Sequence, residues 1–202
     1  MASKKLTILM TVVFLTFIVG CNMLGSSKPL SEFSRDDLQN SLITPNNLTF
    51  GDVYKSSDWT SCPTSEDSFS DQRYNVSQIE SSAQVIVGMF STKSDCSSGG
   101  GRVAEVIFLF SSSRQAQRYL ETAKIQEQKI PLFPYEVLEE SKGGSDFWIM
   151  RSQIEFESST LLIPVDEAII MINVFNPTKL LVDDLTTIGE AAVENMRTVQ
   201  KQ

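Results

Sequence analysis

The sequence predicts an α+β domain: one antiparallel sheet of about six or seven strands, flanked by helices and followed by a long C-terminal helix. Three observations predict it. Runs rich in β-branched and aromatic residues are separated by Ser/Gly turns. The connections between the later runs are far too short for parallel crossovers, so those strands form an antiparallel meander. Two stretches, one mid-chain and one C-terminal, repeat apolar residues at the three-four spacing of a helix with one buried stripe. Strands in groups with helices between them give the α+β class.

The elements follow in order. Ser34 is a good cap for a short helix whose first turn is favoured by Asp36 and Asp37. Pro45 suits the first position of a further turn over 45–48. Residues 58–71 are polar, hold Cys62-Pro63, and read as a loop. Strands are expected at 72–79, 83–91 and 102–110. The last of these (RVAEVIFLF) is apolar on both faces apart from Glu105, the mark of a central strand covered on both sides. Gly99-Gly100-Gly101 lies just before it. A phosphate loop would need a helix N-terminus after the glycines, and a strand follows instead, so these residues read as a hairpin loop. Ser113 caps a helix to about Gln128, with Ala116, Tyr119, Leu120 and Ala123 on its stripe. Strands then occupy 135–141, 146–157, 160–165 and 168–175, with a tight turn at Asp166-Glu167. Asn176 as cap and Pro177 at the first helical position open the last helix, which runs to about Val199 with Leu181, Leu185, Ile188, Ala192, Met196 and Val199 on one face.

The N-terminus carries a different signal. Lys4 and Lys5 precede an apolar run from Leu6 to Val19, too short to span a hydrocarbon core of about 30 Å comfortably. Charge, length and small-residue exit are those of a secretory signal peptide. Ile18-Val19-Gly20-Cys21 resembles the lipobox of bacterial lipoproteins. That resemblance implies a leader over 1–20, cleavage before Cys21, and acylation of Cys21 on its sulfur and its new amino group. An ordinary leader ending at a chance cysteine, or a short N-terminal anchor, is the alternative. Residues 21–33 then form a lipidated tether, and 34–202 a single extracytoplasmic domain, lipid-anchored to the cell membrane or the outer membrane.

Composition narrows the partners. The chain has 17 basic and 25 acidic residues; Lys4 and Lys5 lie in the leader, so the remainder carries a net charge of −10. Such a domain is repelled by nucleic acid and by anionic membrane surfaces, which leaves acyl chains on Cys21 to hold the membrane. With Cys21 assigned to the lipobox, Cys62 and Cys96 remain as an even pair in an oxidising compartment, and a disulfide is the default expectation. Two free thiols or part of a metal site are the alternatives.

The order of elements resembles the PsbP-like fold, which includes the extracytoplasmic sensor domains of some bacterial Ser/Thr kinases and related small lipoproteins. Three stretches carry the resemblance: Leu42-Ile-Thr-Pro-Asn-Asn-Leu48, the strand 102–110 running into Ser111-Ser-Ser-Arg-Gln-Ala-Gln-Arg-Tyr-Leu120, and the strand 168–175 running into a helix from Asn176. It implies a domain that binds or assists.

Candidates for chemistry are sparse. The chain contains no histidine, which excludes a Ser-His-Asp arrangement and removes the usual neutral-pH base. With no Cys-x-x-Cys spacing either, a zinc site has little to build on, and no loop carries the Asp-rich ladder of a calcium site. Glu139-Glu140 and Glu155 with Glu157 are carboxylate pairs on neighbouring strands, equally explained as solvated faces. Ser141-Lys142 is a dyad by adjacency alone. Trp59, Tyr74, Tyr135 and Trp148 are candidates for lining a cleft, or for the core. The reading is therefore a non-catalytic binding or accessory module of the cell envelope, with no cofactor or metal, whose partner is an envelope protein or a small ligand. A carboxylate-dependent hydrolase is the alternative.

Overall fold

The structure is a computed structural model and describes residues 27–49, 54–64, 84–97, 100–128, 135–139, 148–152, 157–176 and 182–202. The most apolar run of the chain, Arg102–Leu109 (β3), sits inside the sheet between Gln84–Ser91 (β2) and Ala168–Asn176 (β7), paired with both along all eight of its residues. All of them but Arg102 are buried, because helices cover both faces. Thr60–Cys62 (β1) extends one side, and Glu157–Val165 (β6), Trp148–Ser152 (β5) and Tyr135–Glu139 (β4) extend the other. The order is β1-β2-β3-β7-β6-β5-β4, with every pair antiparallel.

Alternation along β3 builds two cores. Val103, Ile107 and Leu109 face Arg35–Ser41 (α1) and Val182–Gln200 (α3); Val106 and Phe108 face Ser113–Gln128 (α2). From α3, Leu185, Ile188, Ala192 and Met196 are fully buried and Val199 nearly so, the stripe expected from the spacing. From α2, Ala116 and Leu120 are buried, and Tyr119 packs its ring 5.1 Å from Phe108 and 5.4 Å from Phe110. A two-residue turn, Asp166-Glu167, joins β6 to β7; Asp166 takes φ 49°, a conformation aspartate tolerates better than most residues.

Several boundaries differ from the expected ones. Residues 30–33 belong to the folded domain and not to a tether: Leu30 and Phe33 are buried, and the Lys28 amide donates to the Gln200 carbonyl at 2.7 Å. Part of the expected 58–71 loop is the edge strand β1, pairing Thr60 with Ser91 and Cys62 with Met89. Ser158 and Ser159, expected as a turn, pair with Phe175 and Val174, so the expected 146–157 strand is β5 and the start of β6. Asn176, expected as a helix cap, ends β7 opposite Glu157, and α3 is described over Val182–Gln200. In both cases pairing between strands outweighs a local turn or cap preference. The expected leader, Cys21, the expected 72–79 strand, Pro177 and Leu181 lie outside the described residues.

Candidate functional site

The connection after α1 is shaped by short-range bonds. Ser34 caps α1 in a reciprocal box, its hydroxyl accepting from the Asp37 amide at 3.2 Å while its own amide donates to Asp37 Oδ2 at 2.6 Å. Lys28 Nζ bonds the same carboxylate at 2.6 Å and, with Ser34, holds it down to about 2. At the other end the Ser41 hydroxyl bonds back to the Asp37 carbonyl, and Leu42 turns extended. Thr44 then starts the 3-10 turn Pro45–Asn47, its amide and hydroxyl both donating to Asn47 Oδ1.

This connection lies over a gap in the sheet. Gly88 on β2 stands opposite Glu105 on β3, and without a Cβ at 88 the Leu42 side chain settles onto the strand. A Cβ there would stand 3.3 Å from Leu42 Cδ1. Beside it the Ile43 amide donates to Glu105 Oε2 at 2.7 Å, and Asn195 Nδ2 from α3 donates to the Leu42 carbonyl at 3.1 Å. Glu105 is fully buried, and among the described residues its Oε1 has no hydrogen-bond partner. Burial pushes this carboxyl up to about 8 despite the opposing pull of the Ile43 amide.

An open-sided cleft of about 300 Å³ lies between the α1 connection on one wall and β1 with β2 on the other. Gln39, Asn40, Thr44, Ser61 and Thr64 supply its polar groups; Leu42, Ile43, Met89 and Phe90 supply much of its apolar surface. Among the described residues no ionisable side chain lines it, since Cys62, the one cysteine among them, is bonded to Cys96 with Cα atoms 5.9 Å apart. That bond ties the β1 wall to the turn between β2 and β3. Cys96 takes φ 56° there, and its carbonyl accepts from the Arg102 guanidinium at 2.9 Å.

Of the glycines before β3, Gly101 serves packing. Gly101 lies against Trp59 and Tyr54, where a Cβ would come within 3.3 Å of Trp59 Cη2 and 3.4 Å of Tyr54 Cζ. Trp59 is buried with its ring edge-on to Tyr54 at 5.4 Å, a core residue and not part of the cleft wall. Tyr135 and Trp148 begin β4 and β5, on the far side of the sheet from β1 and β2. Of the expected carboxylates, Glu139 and Glu157 are not brought together. Glu139 pairs with Ile149, which pairs with Leu161, whereas Glu157 lies four residues farther along β6; their backbones stand roughly 15 Å apart by ordinary strand spacing. Tyr74, Glu140, Ser141, Lys142 and Glu155 lie outside the described residues. Among the described residues no group of three Cys, Asp or Glu side chains is placed to hold a metal ion. The buried carboxyl is marked in the sequence only as the lone acid in an apolar strand.

No family model matches the chain, and no curated protein matches it. Among solved structures it is similar to the extracellular domain of PknH from Mycobacterium tuberculosis, with a TM-score of 0.42 and 10 % identity over 71 % of this chain and 78 % of that one. A likeness of that degree does not establish a shared role.

Proposed function

We propose that this chain is a non-catalytic binding module, anchored outside the cytoplasm through lipid on Cys21, and that its cleft takes a small uncharged ligand bearing both hydroxyl or amide groups and an apolar portion. The observation that carries the reading is the cleft lining: amides and hydroxyls on its walls, aliphatic and aromatic surface between them, and no ionisable side chain among the described residues. At about 300 Å³ it lies at the small end of ligand sites. Catalysis by carboxylates would need two of them converging on one substrate. Glu105 is alone behind the cleft, and the absence of histidine from the whole chain removes the commonest partner.

The test is a thermal-shift and calorimetric screen of uncharged mono- and disaccharides, N-acylated amino sugars and monoacylglycerols. It is run on the wild type and on the cleft variants Asn40→Trp and Ser61→Trp, both at exposed positions. A true ligand at 100 times its Kd stabilises the wild type by about 2.7 kcal/mol, and the two variants lose most of that gain. Turnover of any screened compound, or binding that neither variant weakens, overturns the reading.

A further inference from the structure

We propose that residues 42–45 form a proton-gated lip on the cleft, held against the sheet while the Glu105 carboxyl is neutral and released when that carboxyl loses its proton. The proposal rests on the cleft being the binding site and assigns that site its regulation.

The geometry gives the lip two polar ties, Ile43 N–H to Glu105 Oε2 and Leu42 C=O to Asn195 Nδ2, and buries its two apolar side chains, Leu42 against the bare backbone of Gly88 and Ile43 beside it in the core. Leu42, Ile43, Thr44 and Pro45 all line the cleft, so whatever moves them reshapes it. In its neutral form Glu105 has a carbonyl oxygen to accept the Ile43 amide and needs no counter-charge. Ionised, it is a fully buried charge with one donor and an Oε1 that nothing satisfies. Among the described residues nothing packed around it supplies a compensating charge. Neither β2 nor β7 carries an ionisable residue. On α1, Arg35, Asp36 and Asp37 occupy the first turn, at the end away from Ile43, with Asp37 held by Lys28. On α3, Asp183, Asp184, Glu190, Glu194 and Arg197 lie off the buried stripe, and the residue that reaches the lip is the neutral Asn195. The remaining charge on β3, Arg102, belongs to the opposite face and bonds Cys96. Burial therefore dominates the ionisation behaviour of Glu105, opposed only in part by the Ile43 amide. The least disruptive way to hydrate the carboxylate is to lift the segment that covers it, because that segment is held by few bonds while the strands on either side are fully paired.

The test is amide hydrogen exchange on the full chain between pH 5 and 9, corrected for the intrinsic base-catalysed rate. Protection at Ile43 and its neighbours falls up to tenfold per pH unit until about pH 8 and then levels. Amides of β3 and β7 stay more protected throughout. In Glu105→Gln the lip keeps one protection factor across the range. In Asn195→Ala it loses protection by a constant factor and retains the wild-type slope. The same pH dependence in Glu105→Gln as in wild type, or lip and sheet amides exchanging at one common rate, overturns the gate. An Asn195→Ala lip as protected as wild type overturns it as well. Since the readout needs no ligand, a failed ligand screen leaves this result standing, and a flat exchange profile leaves the binding result standing.

Discussion

The Ile43 amide donates to Glu105 Oε2 across 2.7 Å, and among the described residues that bond is the only polar partner of a carboxyl with no solvent exposure. The consequence for global stability has a definite sign. The folded state keeps a proton on Glu105 up to about pH 8, whereas the unfolded chain gives it up near its ordinary value of 4.5. Between those values the native state binds more protons than the unfolded state, so stability falls as pH rises, by at most about 1.4 kcal/mol per pH unit, and levels above 8. Asp37, held low by Lys28 and Ser34, acts oppositely: its contribution is present above about pH 4 and is lost as pH falls toward 2. Urea unfolding at several pH values should therefore show a maximum near pH 4–5. Glu105→Gln should flatten the alkaline side and unfold at higher urea than wild type at pH 8. Equal slopes for the two proteins would refute the assignment.

The Cys62–Cys96 bond closes a loop with a sequence separation of 34, and the chain-entropy model values such a loop at roughly 4 kcal/mol. Non-reducing peptide mapping should recover the two cysteines in one linked fragment. Replacing both by serine should lower stability by a few kcal/mol and should loosen β1 first, since that strand is three residues long and pairs on one side only. Two free thiols in protein taken from an oxidising compartment would contradict the pairing.

How far the fold was legible depends on the kind of signal. The 102–110 run announced a strand covered on both faces, and the 3.6-residue spacing of Leu185, Ile188, Ala192 and Met196 announced the helix that covers one of them. These are burial patterns, and burial is what the structure enforces. Boundaries failed where a local preference competed with pairing: Ser158, Ser159 and Asn176 prefer turns or caps, yet β7 needs partners along its nine residues and draws them into a ladder. The cleft was barely legible. It requires Gly88 to stand opposite Glu105, seventeen chain positions apart, and Ile43 to arrive from another element; periodicity along one segment cannot reveal such a meeting. Glu105 itself was visible, as an acid where every neighbour was apolar. An unexplained charge in a central strand was the signal to follow.

Leu185 on α3 has no solvent exposure and belongs to the core shared by α1, α3 and the sheet. Leu185→Ala should cost ~2–5 kcal/mol in urea unfolding. Ala192, on the same stripe and also fully buried, offers the converse check: Ala192→Leu adds volume to a filled site and should cost about 1–3 kcal/mol. A cost below about 0.5 kcal/mol for Leu185→Ala, the range of ordinary surface changes, would show that this face of α3 does not pack on the sheet.

The anchor proposed at Cys21 makes the last prediction. The folded domain begins by Lys28, whose amide is bonded to the Gln200 carbonyl, so only a few residues separate a lipidated Cys21 from the fold and the domain would ride close to the membrane. A net charge of −10 after the leader gives it no electrostatic hold on an anionic bilayer. Attachment must then come from acyl chains, each worth about 0.8 kcal/mol per buried methylene, and one chain alone binds only marginally. Mass spectrometry of the native protein should find an N-terminal peptide that starts at Cys21 and carries more than one acyl group. Cys21→Ser should leave the leader uncleaved by the lipoprotein route, or release the domain from the membrane fraction after mild detergent-free washing at high salt. A native peptide that retains Gly20-Cys21 without modification would remove the lipid anchor. The Cys62–Cys96 bond would still argue for an oxidising compartment.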